Sequence, residues 1–311
     1  MWSADGHSLE FCSSYQETIS INFDDFMQNK VESSRLLHEN LHSLFPSTFP
    51  IEKLKVLHVS SFSDDPDALA SLFERTENKR LLKPLIDQLA SCLLNCKTAV
   101  AVQMLQKAQT FLETFVQCFY GPNGVPPRAD QMAKLQHSPL LKHPQNLCII
   151  DNTCCLGNPQ AKQVHRENYP AFWALPENVG LSLLIYLGVF LPVEIELALW
   201  VKPTRSPEEM RHFIITRPFM LRIHRASILW TGKMVNNALC SVKSDLPAEA
   251  HVHCHILKAF LRKHFQQELC ALSDGALNCA ESTQLRQLAL SKVLHVFFGL
   301  AEETECSQAV L

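Results

Sequence analysis

Apolar positions are densest in residues 176–201, PENVGLSLLIYLGVFLPVEIELALWV, and the other elements are best placed around that run. Its length suits a membrane span, which takes about 20 apolar residues. Its content argues against one. Pro192 interrupts the run, and Glu194 and Glu196 follow, each costing a few kcal/mol or more if left unpaired at bilayer depth. The pattern predicts two elements meeting at Leu191 and Pro192. Leu183, Leu184, Leu187 and Phe190 recur at helical spacing, giving a buried helix over 179–191. Val193, Ile195, Leu197 and Leu199 alternate with Glu194, Glu196 and Ala198, the period of a half-buried strand over 193–201.

Before that run, Ile19, Ile21 and Phe23 mark a short strand, and residues 1–8 are polar and frayed. Asp24 or Asp25 caps an amphipathic helix to about Phe45, stopped by Pro46 and Pro50. Residues 54–62 alternate and predict a strand. Asp65-Pro66-Asp67 opens a helix through Leu69, Leu72 and Phe73, a second helix begins near Lys83 and Pro84, and a third covers Thr98–Phe119. The third has the most regular stripe in the chain: Met104, Ala108, Phe111 and Phe115. Residues 121–146 are rich in proline and glycine and read as a linker or long loop. Leu147–Ile150 is a short buried strand and 151–158 a turn. A helix covers 159–167, and 169–173 lead into the central run. Residues 213–230 fit either type of element. Two long helices close the chain, over 247–272 and 281–302. The fold class is α+β, helix-dominated: a mostly helical region over 1–125 with short N-terminal strands, a linker over 126–145, and a mixed helix and strand region over 146–311.

Composition fits a globular chain with a sizeable core: 311 residues, 47% hydrophobic and 19% charged, with a net charge of −3. That charge gives no general reason to bind nucleic acid or anionic lipid. The chain opens without a basic segment leading into an apolar one, so no signal peptide is expected. Its 12 cysteines have no regular spacing, and several fall on apolar stripes. They read as small core residues of a reduced, intracellular protein, cytoplasmic or nuclear.

Only 9 glycines occur, and GxGxxG, GxxxxGK[ST] and GxSxG are all missing. Dinucleotide folds, Walker-type nucleotide sites and hydrolase elbows therefore lose their usual signatures. The sharpest cluster is His251, His253, Cys254 and His255. On a helix His251 and His255 share a face with Cys254 close by, which is half a zinc site, but no CxxC accompanies it. Cys154 and Cys155 could supply a nucleophile if a base such as His165 were near, but structural thiols are the simpler reading. Asp151, after a strand, reads as a turn residue. Residues 202–233 are locally basic, and Trp200 and Trp230 flank the arginines, a composition that suits protein interfaces or phosphate contacts.

The reading is a non-enzymatic interaction subunit, a scaffold or adaptor in an intracellular assembly, with one or more protein partners. It assigns no catalytic residue, cofactor or metal and no membrane insertion. Interaction is expected at Arg222, Arg225 and Trp230, and at Leu294 and Phe298 on a final helix that is apolar nearly all round. Two alternatives stay open: an enzyme with a metal or thiol site built from scattered His and Cys, or a nucleic-acid binder using 202–233.

Overall fold

A computed structural model describes residues 7–12, 18–62, 71–93, 97–120, 126–137, 146–158, 171–201, 230–240 and 250–264. The fold is helix-dominated α+β, with two small antiparallel sheets. Strands β1 (Ser8–Cys12) and β2 (Thr18–Asn22) pair antiparallel, with Leu9 opposite Ile21. β2 runs directly into helix α1 (Phe23–Ser43). The cap is Asn22, whose side-chain oxygen accepts from the amides of Asp24 at 2.9 Å and Asp25 at 3.1 Å. The two aspartates stand in the first turn, where their charge favours the positive end of the helix.

The predicted strand over 54–62 is not formed. Short 3-10 turns, Ile51–Lys53 and Val59–Ser61, occupy this region. Leu54, Leu57, Val59 and Phe62 are buried, whereas Val56 is 68% exposed. Leu54 with Leu57, and Val59 with Phe62, sit three apart, and spacing of three brings side chains into line on a tight turn. The alternation in the sequence was a coincidence of two such pairs. The predicted helix over 65–73 lies partly outside the described residues, and Leu72–Glu74 within it is a 3-10 turn.

Helix α2 (Thr76–Leu93) starts well before Pro84, the expected start, and carries that proline inside it. The ring removes an amide partner for the carbonyl of Arg80. Both Pro84 and Arg80 are exposed, so the proline stands on the water-facing side of the helix rather than in the core. Helix α3 (Thr98–Phe119) has the expected bounds and buries Met104, Ala108, Phe111, Phe115 and Phe119. Helix α1 lies along α3. Asn40 donates to Thr114 at 2.9 Å, and Lys107 donates to the carbonyl of Ser43 at 2.9 Å, so polar contacts fix the register of this apolar interface. Within 126–137, Met132 and Leu135 are buried, and helix α4 (Ala129–Met132) belongs to this packed stretch.

β3 (Leu147–Ile150), β4 (Thr153–Asn158) and β5 (Ala171–Ala174) form the second sheet. The turn expected over 151–158 is confined to its first two residues, and Thr153–Asn158 is a strand. The two-residue turn is Asp151 and Asn152, with φ of 49° and 58°. Two left-handed residues in succession match the twist of a tight hairpin, and Asp and Asn tolerate that region.

The central run is one continuous helical element: α5 (Glu177–Ile185), a π-turn (Tyr186–Phe190) and α6 (Leu191–Val201). The strand expected over 193–201 is therefore a helix. Val193, Glu194, Ile195, Leu197 and Ala198 are all buried, so alternation of residue type had no exposed face to report. Pro192 does not break the element. In the π-turn the Leu191 amide bonds to the carbonyl of Tyr186, five residues back. The wider turn relieves the crowding that a proline ring creates against the preceding turn. Helix α1 packs on α5, α2 on the π-turn and α6, and α3 on α5 and α6. Helices α7 (Gly232–Cys240) and α8 (Ala250–His264) complete the described fold; α7 lies against α3 and α4. α8 falls inside the helix expected over 247–272, whereas the helices expected over 159–167 and 281–302 lie outside the described residues.

Gly180 lets the central helix approach the sheet closely. A Cβ built there would lie 2.6 Å from Cys154 Cβ. Alanine favours a helix over glycine by about 1 kcal/mol, but overpacking against a rigid strand costs about 1–3 kcal/mol. Gly180→Ala is expected to lower the chemical denaturation midpoint. An unchanged or higher midpoint would show that helix and sheet are not in this contact.

Candidate functional site

Of the residues singled out in the sequence, Trp230 is described: it is 4% exposed and packs in the main core just ahead of α7. Arg222, Arg225, Leu294 and Phe298 lie outside the described residues, as does His165. Cys154 and Cys155 are buried on β4. The Cys155 thiol donates to the carbonyl of Thr153 at 3.4 Å, and Cys148, opposite it in the sheet, donates to the carbonyl of Cys155 at 3.7 Å. These are the contacts of structural thiols. Asp151 serves the hairpin turn. His251, Cys254 and His255 lie on α8, their side chains outside the described set. His253, between them, is 2% exposed, its ring centroid 5.9 Å from that of Phe26 and 6.0 Å from that of Tyr120. Among the described residues no three His, Cys, Asp or Glu side chains converge as metal ligands would.

Among the described residues, two pairs stand out in which a buried carboxyl or ammonium meets a hydrogen-bond partner. The first joins Tyr186 and Glu194, whose hydroxyl and carboxyl oxygens are 2.8 Å apart with the tyrosine donating. Eight positions along an ordinary α-helix put two residues about 80° apart. The extra residue of the π-turn lets the eighth position act as a seventh, about 20° from the first, so both groups point the same way. Tyr186 also stacks on Phe111, centroids 4.7 Å apart. Burial pushes the Glu194 carboxyl up to about 8, with the tyrosine hydrogen bond opposing. Burial, and then the neighbouring Glu194, push the Tyr186 hydroxyl well above its usual range. The pair is thus a neutral hydrogen-bonded unit at pH 7.

The second pair is on α1 and α3. Lys30 is buried and donates to the carbonyl of Gln117 at 3.0 Å, with its ammonium 5.1 Å from the ring centroid of Phe26. Burial pulls Lys30 down to about 8, opposed by Cys118, and burial pushes the Cys118 thiol up to about 12. A carbonyl and an aromatic face are what a buried ammonium needs to offset lost hydration. Sequence reasoning missed both pairs. Glu194 was placed on the exposed face of a strand that does not exist, and Lys30 looks like any polar position on an amphipathic helix. Perturbed acids and amines can mark active sites. These two are sealed among aromatic and aliphatic side chains, and their arrangement orders the core.

Exposed apolar surface stands out at one end of the central helix. Trp200 is 44% exposed near the end of α6, and in the sequence the locally basic residues begin at Lys202. No protein-family model, curated protein or solved structure matches the chain.

The buried carboxyl makes stability depend on pH. The folded-state value of about 8 lies above the ordinary 4.5, so the native state holds this proton more tightly than the unfolded chain. Its stabilisation is complete below about pH 4.5 and is lost as pH rises through about 8. At about 1.4 kcal/mol per pH unit, the loss is on the order of 5 kcal/mol. Urea unfolding across pH 5–8.5 is expected to show Glu194→Gln losing less stability than the parent chain, the gap changing by a few kcal/mol. Parallel curves would place Glu194 in water.

Proposed function

We propose that the chain is a non-enzymatic protein-interaction subunit, a scaffold or adaptor within an intracellular assembly. The observation that carries this reading is Trp200. A tryptophan nearly half exposed, at the end of a helix mostly buried in the core, costs hydration in the isolated chain. Tryptophan and arginine are the residue types that most often anchor protein interfaces, and Arg205 and Arg211 follow closely in the sequence. The placement of Cys154, Cys155 and Asp151 supports the same reading, because these thiols and this carboxylate are engaged in sheet and turn. The helix Glu177–Ala198 is long and apolar enough to cross a membrane, but 83% of its most apolar window is buried. We therefore take it as the core helix of a chain that does not insert. Thiols such as Cys118 and Cys154 used as core residues suit a reducing compartment, cytoplasm or nucleus.

Trp200→Glu tests the reading. Because the side chain is exposed, unfolding free energy should change by no more than about 0.5 kcal/mol. Partners that co-purify with the parent chain should be lost or weakened by tenfold or more, as for an interface anchor. Unchanged capture, or a folded parent chain that retains no specific partner, would reject it.

A further inference from the structure

Helix α1 carries His38 and His42 four residues apart, hence on one face. Their Nε2 atoms are 2.9 Å apart, and the rings meet edge to face with centroids 4.3 Å apart. His38 is exposed and His42 half-buried. At this separation one Nε2 carries a hydrogen and the other accepts it, so the two nitrogens face each other at the helix surface. His42 is held below the ordinary imidazole range, first by burial, then by His38 and by Lys55, with Glu52 opposing. The nearby carboxylates are already engaged: Glu52 with Lys55 at 2.7 Å, and Glu39 with Arg35. The imidazoles are therefore the donors presented there.

We propose that His38 and His42 form a two-imidazole site for a late divalent transition metal ion that prefers cis coordination at about 90°, of the nickel(II) and copper(II) type. The separation, held by the hydrogen bond between the two rings, is already that of a cis pair, so the rings need turn but not part. Two nitrogens bound at about 2.0–2.1 Å and subtending 90° are about 2.8–3.0 Å apart, whereas a tetrahedral ion needs about 3.3–3.4 Å. The observed 2.9 Å falls in the first range. Binding replaces the shared hydrogen with the ion. The ring that donated moves its hydrogen from Nε2 to Nδ1, both Nε2 lone pairs turn to the metal, and two metal-bound waters leave. Neutral imidazoles need release no proton, and water fills the remaining positions. The helix supplies the rigidity, since positions four apart are held in register by backbone hydrogen bonds.

Isothermal titration of the full chain with nickel(II) chloride, beside His38→Gln and His42→Gln, decides the matter. Circular dichroism first confirms that each variant is folded, as expected at positions on the outer face of α1. The parent chain should show one more nickel site than either variant. That site should weaken at least tenfold in each, and the double variant should lose no more than either single one, because two ligands of one ion act as a unit. Titrations of a single variant that superimpose on the parent's would overturn the proposal, as would losses that add. Zinc(II) held more tightly than nickel(II) at the same two residues would overturn the cis geometry.

Discussion

The central helix must be covered. From Glu177 onward nearly every side chain is apolar, and a helix apolar on all sides is stable in water only when other elements enclose it. Helices α1, α2 and α3 do this from different sides, and the second sheet closes against α5 where Gly180 meets Cys154. Their own patterns follow from that requirement. α3 buries a broad arc because it faces α1 and the central helix together, while α2 buries a narrower stripe and leaves the Pro84 side to water.

Pro192 and Glu194 would each disrupt such a helix, and the π-turn accommodates both. Its wider spacing makes room for a proline within a continuous helical element, and its change of phase brings Glu194 under the hydroxyl of Tyr186. A carboxyl buried alone would be expensive; one kept neutral and hydrogen-bonded is tolerable. Lys30 is handled by the same logic with opposite charge, its ammonium resting on a carbonyl and a phenyl ring. Each of these two buried groups has a partner that fixes its direction.

Periodicity revealed the elements whose faces differ. Thr98–Phe119 was legible to the residue because one arc is apolar and the other polar, and Leu147–Ile150 was legible as a short apolar run bounded by turns. It misled where faces do not differ, as in 193–201, or where turns mimic alternation, as in 54–62. β1, β4 and α7 escaped notice because they are short and gain their stability from tertiary pairing. At the level of sites, the turn role of Asp151 was readable from its position after a strand. The pairing of His38 with His42 is implied by their spacing, four positions apart on one helix. The Tyr186 and Glu194 pair could not be read, since its spacing is wrong for an unbroken α-helix.

Backbone hydrogen exchange, followed by mass spectrometry on detergent-free protein, tests the enclosure of the central helix most directly. Amides from Leu183 to Ala198, other than the proline, should be among the slowest in the chain, exchanging only with global unfolding, and lipid vesicles should leave them unchanged. Fast exchange in that segment, or protection gained only on adding vesicles, would contradict the account and make the run a surface or membrane element.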